Sequence, residues 1–253
     1  MKLTFLGTGT SQGIPVVACD CEVCRSVDFH DQRLRSSVLI EHKETSLLID
    51  TGPDFRQQML THRVKRLDAV LYTHEHKDHT AGLDDIRSFN FKQKMDMPLY
   101  GRHTVLDQLK KEYAYMFAEK KYPGVANVAI HELKNSPFTI GDIMVQPIEV
   151  MHYKLPVFGF RFDNMAYITD AKTVAPSERE KLKNLDVLVI NALQKKEHIS
   201  HLTLAEALQF IEEINPKRAY ITHVGHYMGL YRDVALELPK NVHLAYDGLI
   251  LNS

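Results

Sequence analysis

Residues 73–79 read Thr73-His74-Glu75-His76-Lys77-Asp78-His79 and directly follow the apolar run Ala69 to Tyr72. The stretch holds three of the chain's 14 histidines. The apolar run predicts a buried strand, and a loop after it lets His74 and His76 point to one side. Asp78 and His79 are expected at the start of the next helix, facing a second point. Because imidazole and carboxylate ligands suit Zn, Mn or Fe, the stretch predicts two neighbouring metal ions. A polar loop with solvated histidines is the alternative.

Three further candidate ligands each lie just past a β-rich run. They are His152 after Met144 to Val150, Asp170 after Ala166 to Thr169, and His223 after Ala219 to Thr222. Residues that follow strands can meet at one rim of a sheet, so these side chains are expected to complete the metal site. Asp247, before Gly248, could hold a ligating histidine by its far ring nitrogen, but a turn residue is the favoured prediction.

The order of elements predicts one α/β domain over residues 1–253. Short β-rich runs alternate with helical patterns, which include Ala81 to Phe89 and Thr104 to Glu119. Two β-rich halves, each with helices that must cover a sheet face, predict a four-layer αββα sandwich with mixed sheets. Tyr113 to Asn127 is the least regular segment and is expected to form a lid or a homodimer contact.

Composition and charge narrow the class of protein. The chain has 31 Lys and Arg against 32 Asp and Glu, a net charge of -1, and 44% hydrophobic residues. A neutral chain has no overall field for nucleic acid or anionic membrane, so a small-molecule partner is expected. No apolar run approaches the ~20 residues of a membrane span, and no signal peptide is evident, so a cytoplasmic location is expected.

The His-x-His-x-Asp-His stretch with downstream His, Asp and His resembles the metallo-β-lactamase superfamily. The resemblance implies that His74, His76 and His152 hold one metal ion, that Asp78, His79 and His223 hold the other, and that Asp170 bridges them. It also implies that Asp50, in Ile49-Asp50-Thr51-Gly52, orients a ligating histidine through the far ring nitrogen. The alternative for Asp50 is a turn residue before Gly52.

All three cysteines lie in the segment Cys19-x-Cys21-x-x-Cys24. An odd, crowded set makes no useful disulfide framework, whereas three thiols on a short loop offer zinc all but one ligand of a tetrahedron. The segment resembles that of PhnP-like phosphodiesterases, and this resemblance implies a structural zinc whose fourth ligand is His226. Reduced thiols used as small core residues are the alternative.

Two further features bear on the reaction. Phe5-Leu6-Gly7-Thr8-Gly9-Thr10-Ser11 resembles the opening of PhnP-like enzymes and of tRNA 3'-processing nucleases. Within that resemblance, His201 in Ser200-His201-Leu202-Thr203 is implied to approach the leaving oxygen, as general acid. The alternative is a histidine at a helix start, with Thr203 as the cap. Arg87 and Arg161 are candidates to clamp a phosphate, or else are ordinary surface or ion-paired arginines.

The resemblance therefore implies a phosphodiesterase with two active-site ions, Mn or Zn, and one structural Zn. The expected substrate is a small cyclic ribose phosphate, of the phosphoribosyl 1,2-cyclic phosphate or 2',3'-cyclic nucleotide type. A tRNA 3'-processing endonuclease, a thioesterase or lactonase of the same fold, and a non-enzymatic metal-binding protein are the alternatives. The ligand types leave Mn and Zn open.

Overall fold

The computed structural model describes residues 1–252, and its strands form two mixed sheets. In chain order the strands are β1 (Lys2–Gly7), β2 (Ser37–His42), β3 (Thr45–Ile49), β4 (Ala69–Leu71), β5 (Met97–Gly101), β6 (Val128–Glu132), β7 (Phe138–Ile140), β8 (Ile143–His152), β9 (Leu155–Phe162), β10 (Met165–Ile168), β11 (Thr173–Val174), β12 (Val187–Asn191), β13 (Arg218–Thr222), β14 (Val242–Leu244) and β15 (Ile250–Asn252).

The helices lie in the connections between these strands. They are α1 (Phe55–Thr61), α2 (Lys77–Thr80), α3 (Arg87–Gln93), α4 (His103–Glu112), α5 (Ala114–Phe117), α6 (Pro176–Glu180), α7 (Leu204–Ile214) and α8 (Tyr231–Glu237). Short 3-10 turns cover Phe29–Asp31, Leu83–Ile86 and His226–Met228. None of the helices in the described residues is long and apolar enough to cross a membrane.

Each sheet contains a run of neighbouring parallel strands. The first sheet runs β15-β1-β2-β3-β4-β5-β6, and β3 to β6 are parallel. The second runs β11-β8-β9-β10-β12-β13-β14, with β7 beside β8, and β10, β12, β13 and β14 are parallel. Because β8 and β10 both pair antiparallel with β9, they point the same way. The ends of β8, β10 and β13 therefore share one edge of the second sheet.

Three apolar cores hold the four layers together. Between the sheets, Phe5 and Leu71 pack in one cluster with Phe160 and Tyr167. The outer face of the first sheet is covered by α1, α3 and α4, and the outer face of the second by α7 and α8. Every residue of β3 is buried, as expected for a strand covered on both faces. The predicted αββα sandwich with mixed sheets is confirmed.

Two predicted helices are interrupted. The pattern Ala81 to Phe89 is a 3-10 turn followed by the first residues of α3, and Thr104 to Glu119 divides into α4 and α5. Gly82, which lies between α2 and the 3-10 turn, donates its amide to the Thr51 carbonyl at 2.8 Å. A Cβ on Gly82 would lie 2.2 Å from the Gly52 carbonyl oxygen. The chain after the histidine loop is thus pressed against the turn after β3.

Candidate metal centre

The predicted ligands converge at the edge where the strands of both sheets end. His74 and His76 lie in the loop after β4, and Asp78 and His79 are in α2, as expected. His152 is the last residue of β8, while Asp170 and His223 follow β10 and β13. The Phe158 amide on β9 donates to the Thr73 carbonyl at 3.1 Å, which joins the second sheet to the histidine loop.

Left-handed backbone turns aim three of these side chains. Asp50, Asp170 and His223 follow their strands with φ values of 64°, 58° and 55°. Residues other than glycine rarely adopt this conformation, and it costs of order 1–3 kcal/mol. The surrounding fold therefore maintains a strained backbone at three site positions, a feature that clusters at functional sites.

Asp170 is the central carboxylate. Its Oδ2 lies 3.3 Å from His79 Nε2, and its Oδ1 lies 3.2 Å from His223 Nε2 and 3.8 Å from His201 Nδ1. Close groups of possible ligand atoms are His74, His79 and Asp170; Asp78, His79 and His223; and His152, Asp170 and His201. His79 and Asp170 each belong to two of the three groups, and Asp170 is the carboxylate that lies close both to His74 and His152 and to His79 and His223. His201 was expected only as a general acid, yet it lies among the possible ligands.

Asp50 orients two of the histidines. Its carboxylate accepts hydrogen bonds from His79 Nδ1 at 2.7 Å, from the Thr73 hydroxyl at 2.8 Å and from the Thr73 amide at 2.9 Å. The same hydroxyl lies 3.0 Å from His74 Nδ1 and, since its proton goes to Asp50, it accepts from that nitrogen. Both rings are thereby held with Nε2 facing the site. The structure places Asp50 where the resemblance implies it should be.

Other hydrogen bonds orient the second sheet's histidines. His152 Nδ1 donates to the Ser200 carbonyl at 2.8 Å, and His223 Nδ1 lies 3.2 Å from the Ser36 hydroxyl. Thr10 Oγ1 lies 3.2 Å from His223 Nε2. Sequence reasoning missed the roles of Thr73, Ser36 and Ser200. Thr73 had a local signal, because it immediately precedes the first ligand, but nothing in the sequence marks Ser36.

Charge and unsatisfied atoms indicate that the site fits a cation. His74 Nε2 and His79 Nε2 are buried without a hydrogen-bond partner, although buried ring nitrogens are normally satisfied. Burial lowers the pKa of His74 well below its usual value and keeps its ring in the neutral, metal-binding form. Burial opposes protonation of His79, but the carboxylates of Asp78, Asp170 and Asp50 outweigh it and raise its pKa well above the usual value. A bound metal ion would supply the positive charge that these carboxylates require.

His201 is 8% exposed, and its ring packs 4.5 Å from His152 and 5.1 Å from His223, between centroids. Burial lowers its pKa to about 3. Its Nδ1 has no hydrogen-bond partner. Thr203 does cap α7, in a capping box with Glu206, so the alternative suggested for this segment is also present. The cap fixes the start of α7 while His201 lies beside the site.

The two candidate arginines differ. Arg161 donates from its guanidinium to the carbonyls of Lys181 and Lys183 at 2.6 and 2.9 Å, at the far end of β9 from His152. Because its guanidinium already donates to these carbonyls, away from the metal centre, the structure corrects the expectation that Arg161 contacts substrate. Arg87 forms an ion pair with Asp84 at 3.4 Å, and its side chain is 47% exposed. A phosphate contact for Arg87 stays a prediction.

A second cluster brings the cysteines to His226. The Sγ atoms of Cys19, Cys21 and Cys24 lie 3.3, 3.5 and 3.5 Å from His226 Nδ1. Bond lengths near 2.1–2.3 Å separate the ligand atoms of a zinc tetrahedron by roughly 3.5–3.7 Å, so this donor set fits zinc. Burial raises the pKa of Cys21, but hydrogen bonds from the Cys24 amide and His226 outweigh it and lower that pKa to about 6. Burial raises the pKa of Cys24 to about 11.

The four-layer sandwich, with imidazole and carboxylate side chains at one edge, defines the metallo-β-lactamase fold of metal-dependent hydrolases. A family described as the beta-lactamase superfamily domain matches residues 45–224. A solved structure of a new diphosphatase from the PhnP family has a TM-score of 0.93 and 36% identity, and the match covers 100% of this chain and 97% of that one. The chain belongs to the beta-lactamase superfamily and is similar to the PhnP family.

Curated relatives carry more than one name. An octanoyltransferase from Porphyromonas gingivalis is 41% identical over 98% of this chain and 51% of its own length. A ribonuclease Z from an Exiguobacterium species is 28% identical over 64% of this chain and 49% of its own length. The chain thus spans about half the length of these curated relatives. Human short-form tRNase Z, with a TM-score of 0.74, 21% identity and coverage of 100% and 99% of the two chains, shares the fold.

Proposed function

We propose that the protein is a dinuclear-metal phosphodiesterase that hydrolyses a small cyclic ribose phosphate. The observation that carries this proposal is the position of Asp170 between the two predicted ligand sets. A carboxylate oxygen of Asp170 lies within 4.8 Å of the ligand atoms of His74 and of His152, from the first set. Its oxygens lie 3.3 Å from His79 and 3.2 Å from His223, from the second set. A carboxylate shared by two ligand groups suits a pair of ions about 3.5–4 Å apart, the arrangement used for phosphoester hydrolysis.

The ions would be held as the resemblance implies, one by His74, His76 and His152 and the other by Asp78, His79 and His223. Two such ions supply activated water at neutral pH and neutralise phosphoryl charge. Either Mn or Zn suits these ligands. A structural zinc at the Cys19, Cys21, Cys24 and His226 cluster is part of the same proposal.

The chain's own residues orient and protect the reacting groups. Asp50, directly and through Thr73, and Ser200, through its carbonyl, hold the rings of His79, His74 and His152. His201 presents an unpartnered Nδ1 beside Asp170, where a ring that carries its proton on Nδ1 can donate a hydrogen bond to the leaving oxygen. Because burial lowers the pKa of His201 to about 3, the ring is neutral near pH 7 and acts as a hydrogen-bond donor. In a cyclic diester the leaving oxygen stays tethered to the product, so a neutral donor suffices.

Small diesters are favoured for two reasons. A neutral chain has little capacity for the many Lys and Arg contacts that hold a nucleic-acid polymer. The similar diphosphatase and ribonuclease Z proteins, by their names, act on phosphoanhydride or phosphodiester bonds. The diphosphatase is 36% identical to this protein over the whole chain, and this similarity favours a small substrate over a nucleic-acid polymer.

A second candidate is hydrolysis of an acyl ester or thioester. The 41% identity to half of an octanoyltransferase favours an acyl substrate, since part of that protein resembles this chain. Thioester hydrolysis also occurs on this fold, as the resemblance implies.

One substrate panel separates the candidates. Purified protein with Mn or Zn is incubated with a ribose cyclic phosphate, a linear diester, a pre-tRNA with a 3' trailer, a lactone and an octanoyl thioester. We expect phosphorus NMR to show the cyclic signal replaced by a monoester signal, faster than any other conversion. If the pre-tRNA trailer is trimmed but the cyclic phosphate is not opened, the protein is a tRNA 3'-processing nuclease and the proposal is overturned. If the octanoyl thioester releases its thiol but the cyclic phosphate is not opened, the protein is a thioesterase and the proposal is likewise overturned. Turnover of none would favour the metal-binding alternative.

A further inference from the structure

The short helix α2 carries two of the predicted metal ligands in its middle. It spans only Lys77–Thr80, and Asp78 and His79 are its two central residues. A helix of about one turn is not stable by itself, because it forms too few hydrogen bonds to offset the cost of nucleation. Contacts with the rest of the fold therefore hold α2 and fix the separation of its two ligands.

Two consecutive residues at the end of α4 contact the two ends of α2. Lys77 Nζ, at the first residue of α2, lies 2.5 Å from a carboxylate oxygen of Glu112. The Tyr113 hydroxyl donates to the carbonyl of Thr80, the last residue of α2, at 2.9 Å. The last carbonyls of a helix have no partner within it, so Tyr113 satisfies one that α2 leaves free. The two ligands thus lie between contacts that come from one short piece of chain.

The two contacts differ in strength. The Lys77 side chain is 65% exposed, so solvent screens its ion pair with Glu112 and the pair contributes little. Tyr113 is partly buried, and its side chain packs against the apolar core on the outer face of the first sheet, which includes Phe89 and Met116. That packing fixes the ring whose hydroxyl bonds to α2, so Tyr113 makes the more effective contact.

The interruption between α4 and α5 lies at this same residue. Periodicity predicts one helix over Thr104 to Glu119, but Tyr113 has φ −110° and ψ 40° and separates the two helices. Its amide still bonds to the Leu109 carbonyl at 2.9 Å, and its carbonyl accepts from the Met116 amide at 2.8 Å. The break that the sequence pattern missed therefore coincides with the residue that bonds to α2.

We propose that Tyr113, assisted by Glu112, is a positioning residue for the metal ion assigned to the two α2 ligands and His223. Asp78 Oδ2 and His79 Nε2 lie 3.2 Å apart, which suits two ligands of one ion. The histidines of the other ion lie outside α2, so the affinity for that ion does not depend on Tyr113. This inference rests on the pair of ions in the proposed function and adds what determines how tightly one of them is held.

Titration with Mn²⁺, after a chelator has emptied the metal centre, tests the inference. Mn²⁺ is the probe because thiolates favour other metals, so the cysteine cluster does not take part. The proteins compared are wild type, Tyr113→Phe, the double variant Tyr113→Phe/Glu112→Gln, and Tyr115→Phe. Tyr115 is the matched control, because its hydroxyl also donates, to Asp84 at 2.7 Å, but Asp84 lies in the 3-10 turn beyond α2.

We expect Tyr113→Phe to weaken one of the two Mn²⁺ binding steps roughly 2–13-fold, the factor for one neutral hydrogen bond, and to leave the other step unchanged. The double variant should weaken the same step further, and Tyr115→Phe should change neither. The electron paramagnetic resonance signal of the coupled ion pair should need more Mn²⁺ in Tyr113→Phe and then reach wild-type intensity, which a damaged fold would not allow. Equal affinities in wild type and the double variant, or equal weakening of both steps, would overturn the inference.

Amide hydrogen exchange of the metal-free protein keeps this inference separate from the proposed function. The amides of His79 and Ala81 donate to the carbonyls of His76 and Lys77. They should exchange roughly 2–13-fold faster in Tyr113→Phe than in wild type or Tyr115→Phe. If wild type binds one ion but this difference is present, Tyr113 still positions the α2 ligands and the dinuclear proposal fails. If exchange is equal in the three proteins, Tyr113 does not hold α2 and the inference is wrong.

Discussion

Asp50 offers the sharpest test of how the fold supports the metal centre. Its carboxylate is fully buried and accepts three hydrogen bonds, two from Thr73 and one from His79. It makes no exposed contact that substrate could use. Asp50→Asn keeps the shape and tolerates the left-handed backbone at φ 64°, but it removes the charge and places amide protons against existing donors.

The expected loss of stability in Asp50→Asn follows from the hydrogen bonds that the substitution removes. A buried hydrogen bond to a charged group contributes about 1.5–3 kcal/mol, and a buried donor left unpaired costs ~1–3 kcal/mol. Because the bonds form one network and do not add, we expect the free energy of unfolding to fall by about 2–4 kcal/mol. Without Asp50 to hold its Nδ1 proton, the His79 ring is free to rotate, and metal affinity should fall roughly 10–100-fold.

Urea unfolding of the metal-free protein measures the free energy of unfolding. Titration with Zn against a chelator of known affinity measures the metal affinity. Asp68→Asn is the matched control. Asp68 also accepts a backbone amide, from Ser46, and pairs with Arg66, but it lies in the turn before β4, at the opposite end of that strand from the metal loop. The control should lose stability and keep its metal affinity. Unchanged zinc affinity in Asp50→Asn, despite lower stability, would refute the orienting role.

Three further substitutions test Asp170, the cysteine cluster and the buried carboxylate of Asp247. Asp170→Asn removes the shared charge and should reduce turnover to about one hundredth or less of the wild-type rate; near-normal activity with two metals bound would exclude bridging. Cys21→Ser should lower zinc content by one ion per chain and the melting temperature with it, while mass spectrometry that finds zinc content unchanged would exclude the thiol site. Burial raises the pKa of Asp247 to about 6, against its hydrogen bonds from Thr8 and Leu34. The folded state therefore binds more protons than the unfolded state between about pH 4 and 6, so this group's stabilising contribution is complete below about pH 4 and is lost as pH rises, by at most about 3 kcal/mol. Across that pH range, the free energy of unfolding should fall less steeply with rising pH in Asp247→Asn than in the wild type. Parallel pH profiles for the two proteins would contradict this.

The ligand types and the fold class could be predicted from sequence because their signals are local. The apolar run before Thr73 marks a strand, and the histidines after it lie within one loop whatever the rest of the chain does. His152, Asp170 and His223 each follow a β-rich run, and strand ends are where side chains leave a sheet. Alternation of strands and helices was enough to predict two covered sheets.

Other predictions needed the packed structure because they concern residues far apart in the chain. Arg161 could be read as a phosphate ligand until the carbonyls of Lys181 and Lys183 were seen to accept its protons. Asp247 was expected to be a turn residue rather than a carboxylate that orients a histidine, and only the structure shows that it is buried against Thr8 and Leu34.

By itself, then, the sequence determined which side chains are available for the chemistry and at which strand ends they stand. Only the tertiary structure decided how they are oriented. The Ser36 hydroxyl meets His223 across 187 positions, and the Ser200 carbonyl meets His152 across 48. Periodicity reports the environment of one element, whereas such contacts depend on how two sheets pack against each other.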